Sequence, residues 1–236
     1  MAQVSPGAFS GTGLTVAALR GGQFLPAATP GERVAVAARQ VREAGEPSLT
    51  YVYYGDLDAT GHRHGVDSPA WRLQLAHADL LARQLAETLP AGTRLLVTGD
   101  HGMVDTTPAS RLDLAQAPRL TEGVRMLGGE PRARHLYLAE GGAAAAADCE
   151  RVASEWRAEL GERAWVRTRA EAVAEGWFGP RVDAAVLPRI GDVVVAARGD
   201  LALVHTRAEP FESGLIGVHG SMTAAEMGLP LLLVTV

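Results

Sequence analysis

The alternation of apolar and polar residues along the chain predicts several helices with clear ends. Val34–Ala44 has the three- and four-residue apolar spacing of a helix, and Pro47 terminates it. A longer helix is predicted after Ser68, a favourable N-cap, and Pro69, which suits a first helical position because the N–H it lacks has no partner there. One apolar stripe then recurs at helical spacing as far as Leu89, where Pro90-Ala-Gly92 ends it. Its members are Trp71, Leu75, Ala78, Ala82, Leu85 and Leu89.

Short apolar runs, some rich in β-branched and aromatic residues, predict the strands. These runs are Leu49–Tyr54, Leu95–Thr98, His135–Leu138, Ala164–Arg167, Asp192–Ala197, Leu201–His205 and Leu229–Val236. A further helix is predicted from Ala143 to about Leu160. Residues 1–32 and 105–118 are predicted to be irregular, apart from a short helix around Leu14–Leu19.

The order of these elements predicts an α/β fold with helices on both faces of a mostly parallel sheet. Leu49–Tyr54, the long helix and Leu95–Thr98 form a strand–helix–strand unit, which implies a right-handed crossover and a parallel pair. The carboxyl ends of both strands then lie at one edge of the sheet, where open α/β sheets bind ligands. A chain of 236 residues fits a single large domain, so residues 1–236 are expected to form one domain.

Composition excludes several classes of protein. The chain is 47% hydrophobic and 21% charged, which is typical of a soluble globular protein. A net charge of −5 argues against a nucleic-acid-binding surface, which normally carries a clustered basic patch. No apolar run approaches the ~20 residues that span a bilayer, and the first residues do not have the pattern of a signal peptide. The cytoplasm is therefore the default expectation for location, while the oligomeric state is left open.

Three short motifs combine carboxylates and imidazoles in a way that suits a metal centre. They are Asp58-Ala-Thr-Gly-His62, Asp100-His101-Gly102-Met103 and His219-Gly220. The first two directly follow predicted strands, with Asp58 and His62 in a glycine-flanked loop, so their side chains should meet at the sheet edge. Five nitrogen and oxygen donors exceed the four of one tetrahedral zinc and suit a pair of ions. Three histidines favour zinc over manganese.

The order of the three motifs resembles the alkaline phosphatase superfamily, and Tyr54–Gly65 resembles its nucleotide pyrophosphatase/phosphodiesterase branch. The resemblance covers roughly residues 49–105 and 190–233. It implies that Asp58, His62 and His219 bind a first zinc ion and that Asp100 and His101 bind a second. The implied activity is zinc-dependent hydrolysis of a phosphodiester or a nucleotide pyrophosphate at a two-metal site. The implied partner is a small phosphorylated substrate, with a nucleotide as one candidate.

The beginning of the chain departs from the pattern of that family. The family has an early strand with an aspartate for the second zinc, followed by a Thr or Ser nucleophile, but this chain has no aspartate before Asp56. Ser10, Thr12 and Thr15 are interpreted as loop hydroxyls that satisfy their own backbone, so the catalytic residue is unknown. The chain is therefore expected to correspond to the C-terminal two-thirds of the catalytic domain, without its N-terminal strand. A phosphomonoesterase, sulfatase or phosphomutase of the same superfamily, or a catalytically inactive metal-binding fragment, are the alternatives.

Overall fold

The computed structural model describes residues 1–138 and 146–236, and the predicted helix start at Ala143 lies outside these ranges. None of the helices in the described residues is long and apolar enough to cross a membrane. The helices are α1 (Gly13–Ala18), α2 (Pro30–Glu43), α3 (Asp56–His64), α4 (Pro69–Thr88), α5 (Pro118–Thr121), α6 (Ala146–Leu160), α7 (Arg169–Ala174) and α8 (Ala224–Met227).

The strands of the described residues are short, and each contributes to one of five small sheets within those ranges. They are β1 (Ala2–Ser5), β2 (Gln23–Pro26), β3 (Thr50–Val52), β4 (Arg94–Thr98), β5 (Val104–Asp105), β6 (Arg111–Asp113), β7 (Met126–Glu130), β8 (Ala133–Tyr137), β9 (Ala164–Thr168), β10 (Val193–Ala197), β11 (Ala202–Val204), β12 (Gly217–Val218) and β13 (Leu231–Thr235). The α/β class predicted from the sequence is confirmed.

The chain divides into two compact units. Unit 1 comprises residues 1–60, 67–99 and 230–236, and unit 2 comprises residues 61–66 and 100–229. The division falls inside α3, so this one continuous helix contributes to both units. That residues 1–236 act as one hydrolase domain stays a prediction.

Unit 1 contains a parallel sheet in the order β2-β1-β3 and an antiparallel pair, β4 with β13. Helices α2 and α4 cover its core, which includes Val4, Ala37 and Leu85. A capping box between Thr29 and Glu32 begins α2, and the Ser68 hydroxyl accepts the Trp71 N–H at the start of α4, as predicted. The two helices therefore start where the sequence places good caps.

The prediction that residues 1–32 are irregular is wrong for three segments, of which residues 30–32 are the start of α2. Ala2–Ser5 is the central strand of the parallel sheet and is buried along its whole length, and Gln23–Pro26 pairs beside it. Pairing and burial in the folded chain override a weak local pattern. The short helix predicted around Leu14–Leu19 is confirmed as α1, and Thr12 caps it by accepting the Thr15 N–H.

The predicted parallel pairing of the strands before and after α4 is also wrong. In the described residues β3 pairs with β1, whereas β4 pairs antiparallel with β13, where Leu96 lies opposite Leu233. The crossover rule fixes the handedness of a parallel connection, but sequence order does not decide which strands become neighbours.

Unit 2 is built on an antiparallel sheet in the order β7-β8-β10-β9, which packs against α6. The Trp156 side chain of α6 is fully buried, and its indole N–H donates to the Leu120 carbonyl at 2.9 Å. All five residues of β10 are buried. Two smaller ladders, β6 with β11 and β5 with β12, complete this unit among the described residues.

Candidate metal centre

The first motif lies on helix α3 rather than in the glycine-flanked loop that the sequence predicted. Asp56 and Asp58 occupy the first turn of α3, while His62 and His64 occupy the last. Acidic residues at the start and basic residues at the end of a helix both interact favourably with its dipole. Because residues four apart lie on the same helical face, α3 presents Asp58 and His62 together.

Three imidazoles from different parts of the sequence meet in unit 2. The ring of His219 stacks on that of His101, with centroids 3.6 Å apart and planes 20° apart. The centroid of His62 lies 5.1 Å from that of His219. The His101 and His219 side chains are mostly buried, with 28% and 14% of their surfaces exposed. All three histidines of the predicted metal set therefore lie in one cluster.

The oxygen atoms around these rings orient their nitrogens. His62 Nδ1 lies 2.7 Å from the Gly217 carbonyl oxygen, and His101 Nδ1 lies 2.9 Å from the Gly102 carbonyl oxygen. A carbonyl can only accept, so in each neutral ring Nδ1 carries the proton and Nε2 carries the lone pair. His219 Nδ1 similarly faces Glu130 Oε2 at 3.4 Å. An acceptor at one ring nitrogen is the arrangement that prepares the other nitrogen to bind a metal.

Asp58, His62 and His219 meet the first requirement of a shared metal site. One ligand atom from each residue lies within 4.8 Å of those of the other two. Two imidazole nitrogens and one carboxylate oxygen form a donor set that fits zinc. The chemistry and the spacing of these residues are therefore compatible with the first predicted ion.

The second predicted pair is more open to solvent. The Asp100 side chain is 72% exposed, and its Oδ1 lies 3.7 Å from His101 Nε2. Two ligands of one tetrahedral zinc are separated by roughly 3.3 Å when each bond is about 2.0–2.1 Å long. The carboxylate is thus near the nitrogen that would bind a metal, but this pair alone offers only two donors.

Glycines let the loops around the imidazoles approach closely. A Cβ atom on Gly102 would lie 1.9 Å from the Ala225 carbonyl oxygen, so a larger residue would push the Asp100–Met103 loop away from α8. Gly65 has φ of +83° and ends α3, donating its N–H to the Gly61 carbonyl at 2.8 Å. Asp105 supports this end by accepting the Val66 N–H at 2.8 Å. Gly102 of the second motif and Gly65 at the end of α3 thus each have a structural reason.

A cavity of about 310 Å³ in unit 2 opens beside His62. Its charged lining consists of three glutamates and one arginine: Glu130, Glu209, Glu212 and Arg134. The buried Arg134 guanidinium pairs with the Glu209 carboxylate at 2.6 Å and also donates to the Leu203 carbonyl. The remaining side of the cavity is lined by Gly129, Pro131, Leu215 and Val218.

Two carboxylates near the imidazoles were missed from the sequence. Glu130 faces His219, and Glu226 is buried beneath the loops of His101 and His219. Neither residue belongs to a recognisable motif, and a lone glutamate in a sequence usually indicates a solvated position. Nothing local in the sequence distinguishes them.

Comparison with known proteins assigns the chain to a family. The family model described as type I phosphodiesterase / nucleotide pyrophosphatase matches residues 21–222. The chain belongs to this family. The resemblance to the nucleotide pyrophosphatase/phosphodiesterase branch is thereby confirmed, and membership supports phosphoester hydrolysis as the general chemistry of the fold.

Individual human proteins match over shorter stretches. Human ectonucleotide pyrophosphatase/phosphodiesterase family member 7 is 31% identical over 80 residues, which is 31% of this chain and 18% of that protein. The catalytic subunit of human GPI ethanolamine phosphate transferase 3 is 34% identical over 61 residues, 26% of this chain and 6% of that protein. The chain thus spans only a small part of these relatives.

Solved structures confirm the fold. Murine ectonucleotide pyrophosphatase/phosphodiesterase 5, in an inactive form bound to AMP, matches with a TM-score of 0.66 and 22% identity. The match covers 89% of this chain and 54% of that one. Phosphonoacetate hydrolase from Sinorhizobium meliloti 1021, bound to phosphonoformate, matches with a TM-score of 0.56 and 18% identity, over 87% of this chain and 50% of that one. The chain spans about half the length of both structural relatives.

Proposed function

We propose that this chain binds zinc and takes part in the hydrolysis of a phosphodiester or a nucleotide pyrophosphate. The observation that carries the proposal is the group formed by Asp58, His62 and His219, whose ligand atoms lie within 4.8 Å of one another. Asp58, His62 and His219 would hold a first ion, and Asp100 and His101 would contribute to a second. Bound zinc would stabilise negative charge on the phosphoryl oxygens of the substrate.

The protein's own residues would prepare this site for a metal ion. The carbonyls of Gly217 and Gly102 fix the tautomers of His62 and His101, so Nε2 of each ring would be the nitrogen that binds a metal. Glu130 would give the same support to His219. The stacking of His101 on His219 keeps two rings at a fixed separation.

The substrate class is proposed from the family and from one neighbour. The structure of murine ectonucleotide pyrophosphatase/phosphodiesterase 5 contains AMP, so a nucleotide is a candidate substrate for this chain too. The cavity beside His62 is large enough for a small organic group attached to the phosphate. A small phosphorylated molecule is therefore the proposed substrate.

Zinc titration tests the metal half of the proposal. Isothermal titration of the metal-free chain with Zn²⁺ should give a dissociation constant that rises at least 100-fold in Asp58→Ala and in His219→Ala. His77→Ala is the matched control, because His77 is an exposed histidine on α4, and its affinity should stay within about twofold of the parent chain. Unchanged affinity in both ligand variants would refute the site.

Hydrolysis assays test the catalytic half of the proposal. The zinc-loaded chain should hydrolyse bis(4-nitrophenyl) phosphate faster than the Asp100→Ala variant does, and faster than it hydrolyses 4-nitrophenyl phosphate. A preference for the monoester would favour a phosphomonoesterase. If the chain bound zinc tightly but hydrolysed the diester no faster than the Asp100→Ala variant, the hydrolase assignment would be overturned. The chain would then be a metal-binding protein without this activity.

A further inference from the structure

Glu226 lies at the centre of a buried polar network in unit 2 that the proposed reaction does not use. The Glu226 side chain is 1% exposed, and the Arg132 side chain that pairs with it is 0% exposed. Arg132 donates from Nε to Oε1 at 3.0 Å and from Nη2 to Oε2 at 2.7 Å, a bidentate pair. Arg132 also donates to the Leu201 carbonyl at 2.6 Å, which attaches the pair to the region before β11.

The remaining acceptors of Glu226 reach the loop that carries His219. The Ser221 N–H, two residues after His219, donates to Oε1 at 3.0 Å. The Thr223 hydroxyl donates to Oε2 at 2.5 Å. The Ser221 hydroxyl in turn donates to the Ala197 carbonyl of β10 at 2.6 Å, so this loop is also hydrogen-bonded to the four-stranded sheet of unit 2.

The backbone of Glu226 reaches the other imidazole loop. Its carbonyl accepts the Gly102 N–H at 2.7 Å, and Gly102 directly follows His101. A Cβ atom at Gly102 has no space here, so this hydrogen bond depends on the glycine of the Asp-His-Gly motif. One residue is therefore bonded to both of the loops whose histidines stack at 3.6 Å.

We infer that Glu226 and Arg132 form a positioning pair that holds the His219 loop against the His101 loop and thereby sets the separation of the two imidazoles. The expected effect on metal affinity rests on the proposed function. The hydrogen bonds and the ring separation from which the inference is drawn do not. A buried ion pair can often be replaced by apolar residues without loss of stability, so fold stability alone does not explain its presence. Loosening a group that orients metal ligands typically lowers metal affinity by about 10- to 100-fold.

The test compares two double variants, each of which removes an ion pair with a buried carboxylate without leaving either charge alone. Arg132→Met with Glu226→Met removes the positioning pair. Arg169→Met with Asp192→Met is the matched control, because Asp192 is also buried, pairs with Arg169 at 2.8 Å and accepts a backbone N–H from Leu138. The control pair is not bonded to either imidazole loop among the described residues.

The first readout needs no metal. In the metal-free parent chain, the ring protons of His101 and His219 should show the upfield NMR shift of stacked aromatic rings. The Arg132/Glu226 double variant should lose this shift, and the Arg169/Asp192 double variant should keep it. A folded Arg132/Glu226 variant with unchanged ring signals would overturn the inference.

The second readout is the dissociation constant for Zn²⁺ alone. It should rise about 10-fold or more in the Arg132/Glu226 variant and stay within about twofold in the control. Unchanged affinity in a folded variant would count against the positioning role. A parent chain that binds no zinc would refute the proposed function instead, and the ring signals would still decide the inference.

A single variant covers the case in which the double variant does not fold. Glu226→Gln keeps an oxygen acceptor for the Ser221 N–H but weakens the pairing with Arg132. It should show a smaller change in the same two readouts, in the same direction. Ring signals and zinc affinity equal to those of the parent chain would overturn the inference.

Discussion

Two strands of similar composition, one in each unit, have opposite environments. Strand β10 of unit 2 reads Val-Val-Val-Ala-Ala, and each of its residues is at most 3% exposed. Strand β13 of unit 1 reads Leu-Leu-Leu-Val-Thr, and its apolar residues are 41–69% exposed. An apolar run therefore predicts a strand but not the burial of that strand.

The neighbours of each strand explain the difference. Strand β10 pairs with β8 on one side and β9 on the other, and Trp156 and Val152 of α6 belong to the same core. Strand β13 pairs only with β4 among the described residues, and the outward residues of β4, such as Leu96, are exposed too. Contiguous apolar surface of this kind marks an interaction site or an aggregation hazard.

The largest expected effect is at the helix that covers β10. Trp156→Ala should lower the free energy of unfolding by about 3–5 kcal/mol, because it removes a fully buried indole and its hydrogen bond to Leu120. Urea denaturation followed by far-UV circular dichroism measures this without relying on tryptophan fluorescence. A loss below about 1 kcal/mol would mean that the core of unit 2 is not packed as described.

A matched pair of leucines compares the two units directly. Leu136→Ala in β8 should cost about 2–5 kcal/mol, because Leu136 is 0% exposed. Leu232→Ala in β13 should cost less than about 1 kcal/mol, because Leu232 is 58% exposed and already contacts solvent. The same urea titrations measure both, and equal costs would show that β13 is covered in solution.

How far the sequence predicts each region depends on whether the signal is local. Helix α4 follows from its cap and its apolar spacing, because Ser68 and Pro69 act within one turn. Helix α2 was predicted from apolar spacing alone, and it begins at Pro30, four residues before the predicted start at Val34. Strands β4, β10 and β13 follow from short apolar runs. Strand β1 could not be predicted, because Ala-Gln-Val-Ser becomes a strand only through pairing with β2 and β3.

The residues of the candidate site also differ in whether a local sequence signal marks them. Asp58, His62, Asp100, His101 and His219 could be selected from the order of three motifs. The helical state of the first motif was missed, although its acidic start and basic end favour a helix. Glu130 and Glu226 could not be selected, because their roles depend on partners that are distant in sequence, such as Arg132, 94 residues from Glu226.

The burial of His135 in the sheet of unit 2 should make the free energy of unfolding depend on pH. Burial lowers the pKa of His135 in β8 below its usual value of 6.5, and the nearby Arg169 charge lowers it further. The unfolded chain then binds more protons than the folded one, so stability from this group is complete above about pH 6.5 and declines as the pH falls below it.

His135→Asn should therefore flatten the dependence of unfolding free energy on pH between 7 and 5, by less than about 1.4 kcal/mol per pH unit for one proton. The asparagine oxygen can still accept the Gly191 N–H, which His135 Nδ1 accepts at 3.0 Å. His77→Gln, at an exposed position on α4, is the control and should leave the slope unchanged. An unchanged slope in His135→Asn would contradict a buried neutral imidazole.

The smallest effect on stability and the most direct test of the exposed strand come from adding charge to β13. Leu232→Lys should change the free energy of unfolding by no more than about 0.5 kcal/mol, because the site is exposed. It should also reduce concentration-dependent association measured by light scattering, because a lysine on an exposed edge opposes strand pairing between chains. Val195→Lys is the contrasting change, since it places a charge inside β10 and should prevent folding. If Leu232→Lys destabilised the protein as much as Val195→Lys, the apolar run of β13 would be buried in solution. Both strands would then be covered, and they would differ only in what covers them.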